Sequence, residues 1–274
     1  MSAEPVRTSS PWLQLREPAD AAARSPALAS HARRLLPQGR PVVIHDLGCG
    51  TGAMMRWLAP QLPGPQHWVL YDRDEELLDL AMSGPAPSSA GGTPVTRRPE
   101  LLDLTGLQPA DLAGASLVTA SALVDLLTEA EVQHLVAACL GAGCPVLVML
   151  SVVGDVRLRP SHRLDGPLNE AFNQHQQRTV NDRTLVGPQG VELVGTGFAQ
   201  AGLRVLSRSS DWNLDATQSS LSAEWLTGWT QAASEQAPHL AAPAAAYLRR
   251  RLDQAYAGQL QVTVGHRDLL AVPE

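Results

Sequence analysis

The stretch that decides the fold is VVIHDLGCGTGAMMRWLAP, residues 42–60. An apolar run typical of a buried strand ends at Asp46, three glycines follow at alternate positions, and a helical segment begins near Ala53. Glycine at a strand-to-helix turn serves a backbone with positive φ or the close approach of another group to the backbone. A phosphate would fit such a turn, and so would the ribose and amino-acid portion of a nucleotide-like cofactor. The stretch therefore predicts a cofactor-binding turn and leaves the cofactor open.

The alternation of strand and helix continues outward from this turn. Runs rich in leucine and β-branched residues predict strands that end at Asp46, Asp72, Asp103 and Ser121, and a fifth strand at 144–152. Most of the segments that separate them have helical spacing. Near-continuous apolar strands separated by helices are typical of a parallel sheet covered on both faces. The sequence therefore predicts the α/β class.

Regular alternation stops after the fifth strand, which divides the chain into a core and insertions. We expect a single domain over residues 1–274, with its cofactor-binding core at 37–153. A polar insertion is predicted at 154–186, a helical insertion rich in Trp and Ala at 209–258, and a terminal strand within 259–274. The two insertions are expected to form the cap over the substrate.

The N-terminal segment, residues 1–36, is predicted to form a further helical part of the cap. Residues 1–11 are polar and are expected to fray. The Ala- and Arg-rich text that follows has helical spacing and is interrupted by Pro18 and Pro26. Because proline disfavours a helix interior, we expect two short helices here.

Charge and composition exclude several classes of function. The net charge of −6 gives no basic footprint for nucleic acid or for an anionic membrane. All 21 basic residues are arginine. Schiff-base aldolases, pyridoxal-phosphate enzymes and P-loop NTPases each need a lysine, so the protein belongs to none of them. With nucleic acid and membrane disfavoured, we expect the partner to be a small molecule.

Cysteine usage and hydropathy indicate the compartment. Cys49, Cys139 and Cys144 are widely spaced without a C-x-x-C pair, which suits a reducing cytosol and supplies no zinc ligand set. The N-terminus lacks an apolar core of signal-peptide length, and no run of about 18 apolar residues occurs. We therefore expect a cytoplasmic protein with no metal and no membrane partner, and leave a homodimer open.

The glycine motif itself fits two cofactor classes. Read as G-x-G-x-x-A, it is a dinucleotide fingerprint, and Asp72 stands where a ribose-binding acid is expected. Read as D-x-G-x-G-x-G, on Asp46, Gly48, Gly50 and Gly52, it resembles the first motif of class I S-adenosylmethionine-dependent methyltransferases. Both interpretations put a nucleotide at the turn.

Three further features favour the methyltransferase resemblance. The resemblance implies that Asp46 lies near the amino group of the cofactor's methionine part, and the dinucleotide pattern does not require this acid. It implies that Asp72, followed by Arg73, accepts both ribose hydroxyls in a charge-assisted pair. It also implies that Asp103 contacts the adenine amino group, although Asp103 could equally cap the helix that follows. The text LVTASALVDLLT, residues 117–128, resembles the family's fourth motif below the sulfonium.

The resemblance covers about residues 40–151 and, more loosely, the final strands. It implies a Rossmann-like, seven-stranded, mostly parallel sheet whose last strand is antiparallel. It also implies that the leading helices fold over the cofactor cleft, so that Arg16 or Arg24 could meet the cofactor's carboxylate. Gly52 could instead serve close packing, and Cys49 could be a space-filler. The implied residues for S-adenosyl-L-methionine, and for its product S-adenosyl-L-homocysteine, are Arg24, Asp46, Gly48, Cys49, Gly50, Gly52, Asp72, Arg73, Asp103, Leu104, Thr119 and Ser121.

Candidate catalytic groups come from the insertions. A base is needed only if the acceptor must lose a proton, and histidine is the commonest choice near neutral pH. We predict His175 as the base, with His162 and Glu235 as further candidates, although the two histidines could be solvated surface residues. Arg178 could bind an anionic group of the substrate or pair with a nearby acid.

Two tryptophans of the second insertion complete the predicted substrate site. Trp225 and Trp229 stand four residues apart, on one face of a helix. They could form a flat wall for an aromatic acceptor, or they could dock the helix on the core.

The predicted function is methyl transfer to oxygen or nitrogen of a small molecule, in biosynthesis or specialised metabolism. The alternatives are an NAD(P)-dependent Rossmann oxidoreductase and a non-catalytic cofactor-binding protein on the same fold.

Overall fold

A computed structural model describes residues 8–273 of the chain, and the elements below are those of this range. The helices are α1 Ser10–Ala23, α2 Pro26–Leu35, α3 Ala53–Leu58, α4 Glu75–Met82, α5 Glu129–Ala142, α6 Asp165–Gln176, α7 Gly190–Gln200, α8 Ser219–Gln236 and α9 Ala241–Tyr256. The strands are β1 Val42–Leu47, β2 Gln66–Asp72, β3 Val95–Leu101, β4 Leu117–Ser121, β5 Val146–Arg159, β6 Thr179–Val180, β7 Arg183–Thr184, β8 Arg204–Ser209, β9 Trp212–Leu214 and β10 Gln261–Val272.

Seven strands form one continuous sheet in the order β3-β2-β1-β4-β5-β10-β8. The first five are parallel to one another, and β10 runs antiparallel to both β5 and β8. The short β9 pairs with the beginning of β10 as an eighth strand. The predicted α/β sheet with an antiparallel last strand is therefore confirmed, with β9 as an addition that lies within a segment predicted to be helical.

The parallel strands are apolar on both faces because helices cover both faces. On β1, Ile44 belongs to the hydrophobic cluster on one face and Leu47 to the cluster on the other, and both are fully buried. The carboxyl ends of β1, β2 and β4 meet at one edge of the sheet. In open α/β sheets this edge is where ligands bind.

The cap begins later in the chain than the sequence predicts. We expected the first insertion at residue 154, but β5 continues to Arg159 and stays paired with β10, for example Val156 with Val264. Helices α6, α8 and α9 pack on this extension in a third hydrophobic cluster that includes Leu158. The expectation was wrong because the strand is stabilised by a partner about 100 residues further along the chain.

The N-terminal segment forms two helices, as predicted, but Pro18 does not separate them. Helix α1 runs through Pro18. Because proline has no N–H, the carbonyl of Gln14, four residues earlier, loses its helical hydrogen bond. Gln14 is exposed, so this carbonyl can bond to water. The break falls at Arg24, and α2 begins at Pro26 with Ser25 as its N-cap. The expectation that residues 1–11 fray concerns residues that lie largely outside the described range.

A buried carboxylate on β10 fixes the junction between α1 and α2. Asp268 accepts hydrogen bonds from Ser25 N at 2.7 Å, from Leu150 N at 2.7 Å and from Ser210 Oγ at 2.6 Å. Burial raises the pKa of Asp268, and these three donors oppose the rise. The contacts tie the residue after Arg24 to the sheet, so the position of Arg24 is set by the core.

Candidate active site

In the turn after β1, the backbone at each of the three motif glycines has a conformation that suits glycine. Gly48, Gly50 and Gly52 have φ values of +65°, +54° and +82°. A Cβ on Gly48 would lie 2.9 Å from Leu123 Cδ1, and one on Gly50 would lie 3.3 Å from Leu13 Cδ1. The turn is thus covered closely by the segment after β4 and by α1, as expected for a leading helix that folds over this edge.

Asp72, at the end of β2, holds the glycine turn in place. Its Oδ2 accepts from Gly50 N at 2.8 Å, and its Oδ1 accepts from Asp74 N at 3.1 Å. A carboxylate has about four acceptor positions, so both oxygens keep capacity for a ligand's hydroxyl groups. The half-buried Asp72 therefore stands where a ribose-binding acid would be needed.

Asp46 is a buried carboxylate beside the same turn. Its Oδ1 accepts from Thr119 Oγ1 at 2.6 Å, and its Oδ2 has no hydrogen-bond partner among the described residues. Burial raises the pKa of Asp46 to about 7, against the smaller opposing effects of Thr119 and Arg24. An unpaired buried acceptor of this kind is unusual in a folded protein and is typical of a functional site.

Arg24 supplies the opposite charge at this edge. The residue is 2% exposed, and its Nη2 donates to Ser121 Oγ at 3.2 Å. Its Nε and Nη1 have no partner within residues 8–273, and its guanidinium lies 5.5 Å from the ring centroid of Trp57. Burial lowers the pKa of Arg24, while Asp20 and Asp46 oppose the change. Asp46 and Arg24 therefore present an acceptor and two donors that the protein itself does not satisfy.

The remaining predicted cofactor residues are placed less deeply. Asp103 is exposed, and its Oδ1 accepts from Thr105 N at 3.0 Å and from Thr105 Oγ1 at 2.9 Å. The carboxylate thus caps the short turn that contains Leu104, as the alternative interpretation held, and a contact with adenine stays a prediction. Arg73 is exposed on the turn after β2.

Cys49 is buried, and its Sγ donates to Gly50 O at 3.5 Å. Burial raises the pKa of this thiol well above its usual range, so it stays protonated and fills space.

The structure brings three of the predicted substrate-side residues together where α6 and α8 meet. His175 Nε2 lies 3.3 Å from Glu235 Oε2, and Arg178 Nη1 donates to His175 Nδ1 at 3.1 Å. Because a guanidinium only donates, Nδ1 is the acceptor and Nε2 carries the proton. Burial and Arg178 lower the pKa of His175. Both ring nitrogens are engaged, and a role as base stays a prediction that requires one contact to break.

His162 lies near the opposite end of α6 from His175. It precedes the helix, its Nδ1 accepts from Leu164 N at 3.1 Å, and its ring packs 5.1 Å from that of Tyr247. A helix of 12 residues is about 18 Å long, so the two histidines cannot serve one reacting atom.

Trp225 and Trp229 are packing residues of the cap. Their rings stack with centroids 5.2 Å apart and an interplanar angle of 19°. They are 9% and 1% exposed within the third hydrophobic cluster. Their burial supports the alternative that they dock the helix on its neighbours, and a stacking wall for the substrate stays a prediction.

Comparison with known proteins identifies the architecture. No protein-family model matches the sequence, and no curated protein matches it in sequence. The cyclopropane synthase MmaA2 from Mycobacterium tuberculosis is similar in structure, with a TM-score of 0.51, 14% identity, and coverage of 96% of this chain and 94% of that one. A "putative type II methyltransferase" from Anaeromyxobacter dehalogenans gives a TM-score of 0.51, 15% identity, and coverage of 91% and 96%. The chain has the class I methyltransferase fold.

On this methyltransferase fold, one polar residue at the carboxyl edge escaped the sequence interpretation. Asp125 lies two residues after Leu123, which contacts the glycine turn, and its side chain is half-buried. Burial raises the pKa of Asp125, and Arg16 on α1 partly opposes this rise. The residue stood within the quoted fourth motif, so its place after β4 was the signal that could have singled it out.

Within residues 8–273, no group of three or more His, Cys, Asp or Glu side chains is arranged to hold a metal ion. None of the described helices combines the length and the apolar character that crossing a membrane requires.

Proposed function

We propose that the protein is an S-adenosylmethionine-dependent methyltransferase that acts on oxygen or nitrogen of a small-molecule acceptor, in biosynthesis or specialised metabolism. The observation that carries the proposal is the pair Asp46 and Arg24. Each is buried beside the glycine turn, the two have opposite charge, and each keeps hydrogen-bonding atoms without a partner among the described residues.

This pair suits the two ends of a free amino acid. The carboxylate of Asp46 would accept from an ammonium group, and Nε and Nη1 of Arg24 would donate to a carboxylate, in charge-assisted hydrogen bonds. Asp72 would accept from the ribose hydroxyls. The cofactor, when bound, supplies a methyl group activated on a sulfonium. The residues of this edge therefore match a ligand with a nucleoside at one end and an amino acid at the other.

The protein's remaining tasks are to position the acceptor and to exclude water. Helix α1 lies over the glycine turn through Leu13, and Glu17 pairs with Arg56 at 2.6 Å. The cap built on the extension of β5 adjoins the same edge. These elements would enclose the acceptor at a position separate from the cofactor's contacts.

The main rival is a Rossmann oxidoreductase that binds NAD(P). Asp72 would serve either cofactor, but Asp46 distinguishes them. A buried carboxylate beside the turn would repel the pyrophosphate that a dinucleotide places there. The amino-acid end of adenosylmethionine instead brings a positive charge to the same position.

Calorimetric titration of the wild-type protein with S-adenosylhomocysteine, NAD⁺ and NADP⁺ tests the proposal. We expect micromolar affinity for S-adenosylhomocysteine and at least 100-fold weaker binding of both dinucleotides, a difference of about 2.7 kcal/mol. Binding of NAD(P)⁺ in place of S-adenosylhomocysteine would overturn it. A non-catalytic binding protein would bind S-adenosylhomocysteine but would form none from adenosylmethionine across a panel of acceptors.

A further inference from the structure

A stripe of three carboxamides on α6, Asn169, Asn173 and Gln176, has no role in the cofactor site. The spacing places them on one face of the helix. Asn169 Nδ2 and Asn173 Nδ2 both donate to Gly154 O at 2.8 Å, which fixes the orientation of the two amides. Their Oδ1 atoms, together with Gln176 Oε1, are buried and have no hydrogen-bond partner in the described part of the chain.

This carboxamide stripe is a set of acceptors that need donors. Buried polar atoms are almost always paired in folded proteins, and an unpaired one is costly. The amide nitrogens of Asn169 and Asn173 are already used, so only the oxygens remain to meet a ligand. Three neighbouring oxygens therefore suit a ligand that carries N–H or O–H groups.

The stripe adjoins the edge where the methyl group would be delivered. Both asparagines donate to Gly154 O, and Gly154 lies on β5 shortly after Leu150, which has a φ of +54°. Met149, the residue before Leu150, pairs with Ser121 at the end of β4. The 3-10 turn at 187–189 packs against both α6 and the turn that contains Asp125. The stripe and Asp125 thus lie on elements that flank the same strand end.

The charges near this strand end favour a cation as the acceptor. Asp125 contributes a carboxylate that accepts from its own backbone N–H and has no hydrogen bond to another residue within 8–273. The cation that acts on it, Arg16, is held by Asp20 at 2.9 Å and stacks on Trp212 at 4.9 Å. Arg178 is likewise occupied with His175. Arg183, which donates to Leu126 O, is paired with Glu131, and Arg24 would be engaged by the cofactor's carboxylate. An anionic acceptor would therefore find few donors here, whereas an ammonium group would find four side chains that accept.

We propose that the carboxamide stripe and Asp125 form the acceptor site and select an amine, bound as its ammonium ion. This proposal rests on the methyltransferase function proposed above and names its acceptor class. The ammonium loses one proton to the Asp125 carboxylate, and from there to water. The nitrogen lone pair then forms the C–N bond as the S–CH₃ bond breaks, the sulfur keeps that electron pair, and the product leaves as an N-methylammonium ion.

Three probes that share a phenylethyl frame test the preference on protein saturated with S-adenosylhomocysteine. They are phenethylamine, 2-phenylethanol and 3-phenylpropionate, titrated by calorimetry. We expect the amine to bind at least about 10-fold more tightly than the other two. In the variants Asp125→Asn and Asn173→Leu, the advantage of the amine should fall below about 3-fold. The matched control is Asp253→Asn, an exposed acid on α9, which should keep the full preference.

The outcomes separate this inference from the proposed function. Failure of the wild-type protein to bind S-adenosylhomocysteine would overturn the function and the inference with it. Normal binding of S-adenosylhomocysteine with equal or tighter binding of the alcohol or the carboxylate would overturn the inference alone. The same holds if no probe binds at millimolar concentration, or if Asp125→Asn keeps the preference. Should Asn173→Leu fail to fold, Asp125→Asn decides, because the change keeps the side chain's size and shape.

Discussion

The cofactor edge, at the carboxyl ends of β1, β2 and β4, and the cap of α6, α8 and α9 are built from different kinds of residue. At the edge, Asp46, Asp72 and Arg24 are charged groups held by hydrogen bonds with Thr119 Oγ1, Gly50 N and Ser121 Oγ respectively. In the cap, Trp225 and Trp229 give hydrophobic packing, and the buried polar groups of α6 that lack a partner among residues 8–273 are neutral amides. Charged groups that keep polar atoms without a hydrogen-bond partner suit one fixed ligand. A packed helical layer can instead exchange the polar side chains on one face without disturbing the sheet. The two regions should therefore fail in different ways.

The largest expected effect comes from the core of the cap. Trp229→Ala removes a side chain that is 1% exposed, and truncation of a buried Trp costs about 3–5 kcal/mol of unfolding free energy. At a temperature where the variant is folded, its affinity for S-adenosylhomocysteine should stay within about 3-fold of wild type. Denaturant unfolding and calorimetry measure the two quantities. The exposed Tyr256→Ala is the control for stability, and a large loss of affinity in Trp229→Ala would contradict the separation of the regions.

The second effect concerns the charge of Asp46 and the pH. Burial raises the pKa of this carboxyl from 3.8 to about 7, so the folded protein holds the proton more tightly than the unfolded chain does. The contribution of Asp46 to stability is therefore present at about pH 4 and is lost as the pH rises to about 7. Three units of pKa correspond to at most about 4 kcal/mol.

Asp46→Asn removes this titration. We expect melting temperatures measured at pH 5 and pH 8 to show a smaller loss at pH 8 in the variant than in wild type. The variant should also bind S-adenosylhomocysteine more than 10-fold more weakly, because a charge-assisted hydrogen bond is lost. A gain in stability together with a loss of binding is what a functional charge at the edge predicts. Parallel pH profiles of the two proteins would argue against it.

Arg24→Met tests the other charge of the edge. The change keeps much of the apolar stem and removes the donors Nε and Nη1, which have no partner within 8–273. Hydrogen bonds to charged groups contribute about 1.5–3 kcal/mol, so affinity for S-adenosylhomocysteine should fall about 10- to 100-fold. Arg33→Met, on the exposed side of α2, should leave the affinity unchanged. An unchanged affinity in Arg24→Met would mean that Arg24 does not bind the carboxylate of the cofactor's amino-acid end.

Asp72→Ala should weaken the binding of S-adenosylhomocysteine by about 10-fold or more, at the lower end of the same range of about 1.5–3 kcal/mol. Asp72 also accepts from Gly50 N and Asp74 N, so part of the loss would come from a looser glycine turn. Calorimetry of Asp79→Ala, an exposed acid on α4, provides the matched control. Equal affinities in Asp72→Ala and wild type would show that the ribose is held elsewhere.

The contrast between the regions also explains what could be read from the sequence. Asp46 and Asp72 were predictable because each ends an apolar run, and the carboxyl ends of parallel strands share one edge. Period and composition are local signals, and both acids stand at or next to the end of a strand that these signals predict. The α/β sheet was predictable for the same reason.

The cap depended on partners that are distant in the chain. The continuation of β5 to Arg159 needs β10, and the place of Arg24 needs the contact between Ser25 and Asp268, 243 residues apart. The burial of Trp225 and Trp229 follows from packing against α6 and α9, which no spacing within α8 reveals. Asp125 was missed because a lone acid in a turn has no periodic signal.

The smallest expected effect lies at the meeting of α6 and α8. Glu235 is more than half exposed, so its contact with His175 should contribute no more than about 0.5–1 kcal/mol after solvent screening. A double-mutant cycle of His175→Gln and Glu235→Gln, followed by denaturant unfolding at pH 7.5, measures this coupling energy. A coupling above about 2 kcal/mol would mean that the pair organises the cap.

The pH dependence of the same pair gives an independent test of its chemistry. Burial and Arg178 lower the pKa of His175, so the contribution of the neutral ring is present above pH 6.5 and is lost as the pH falls below that value. Wild type should therefore lose slightly more stability than His175→Gln between pH 7.5 and pH 5.5. The opposite sign would mean that the ring gains a proton on folding. His175 would then be a cation paired with Glu235, and an acceptor site flanked by Asp125 and neutral amides would have a positive charge beside it.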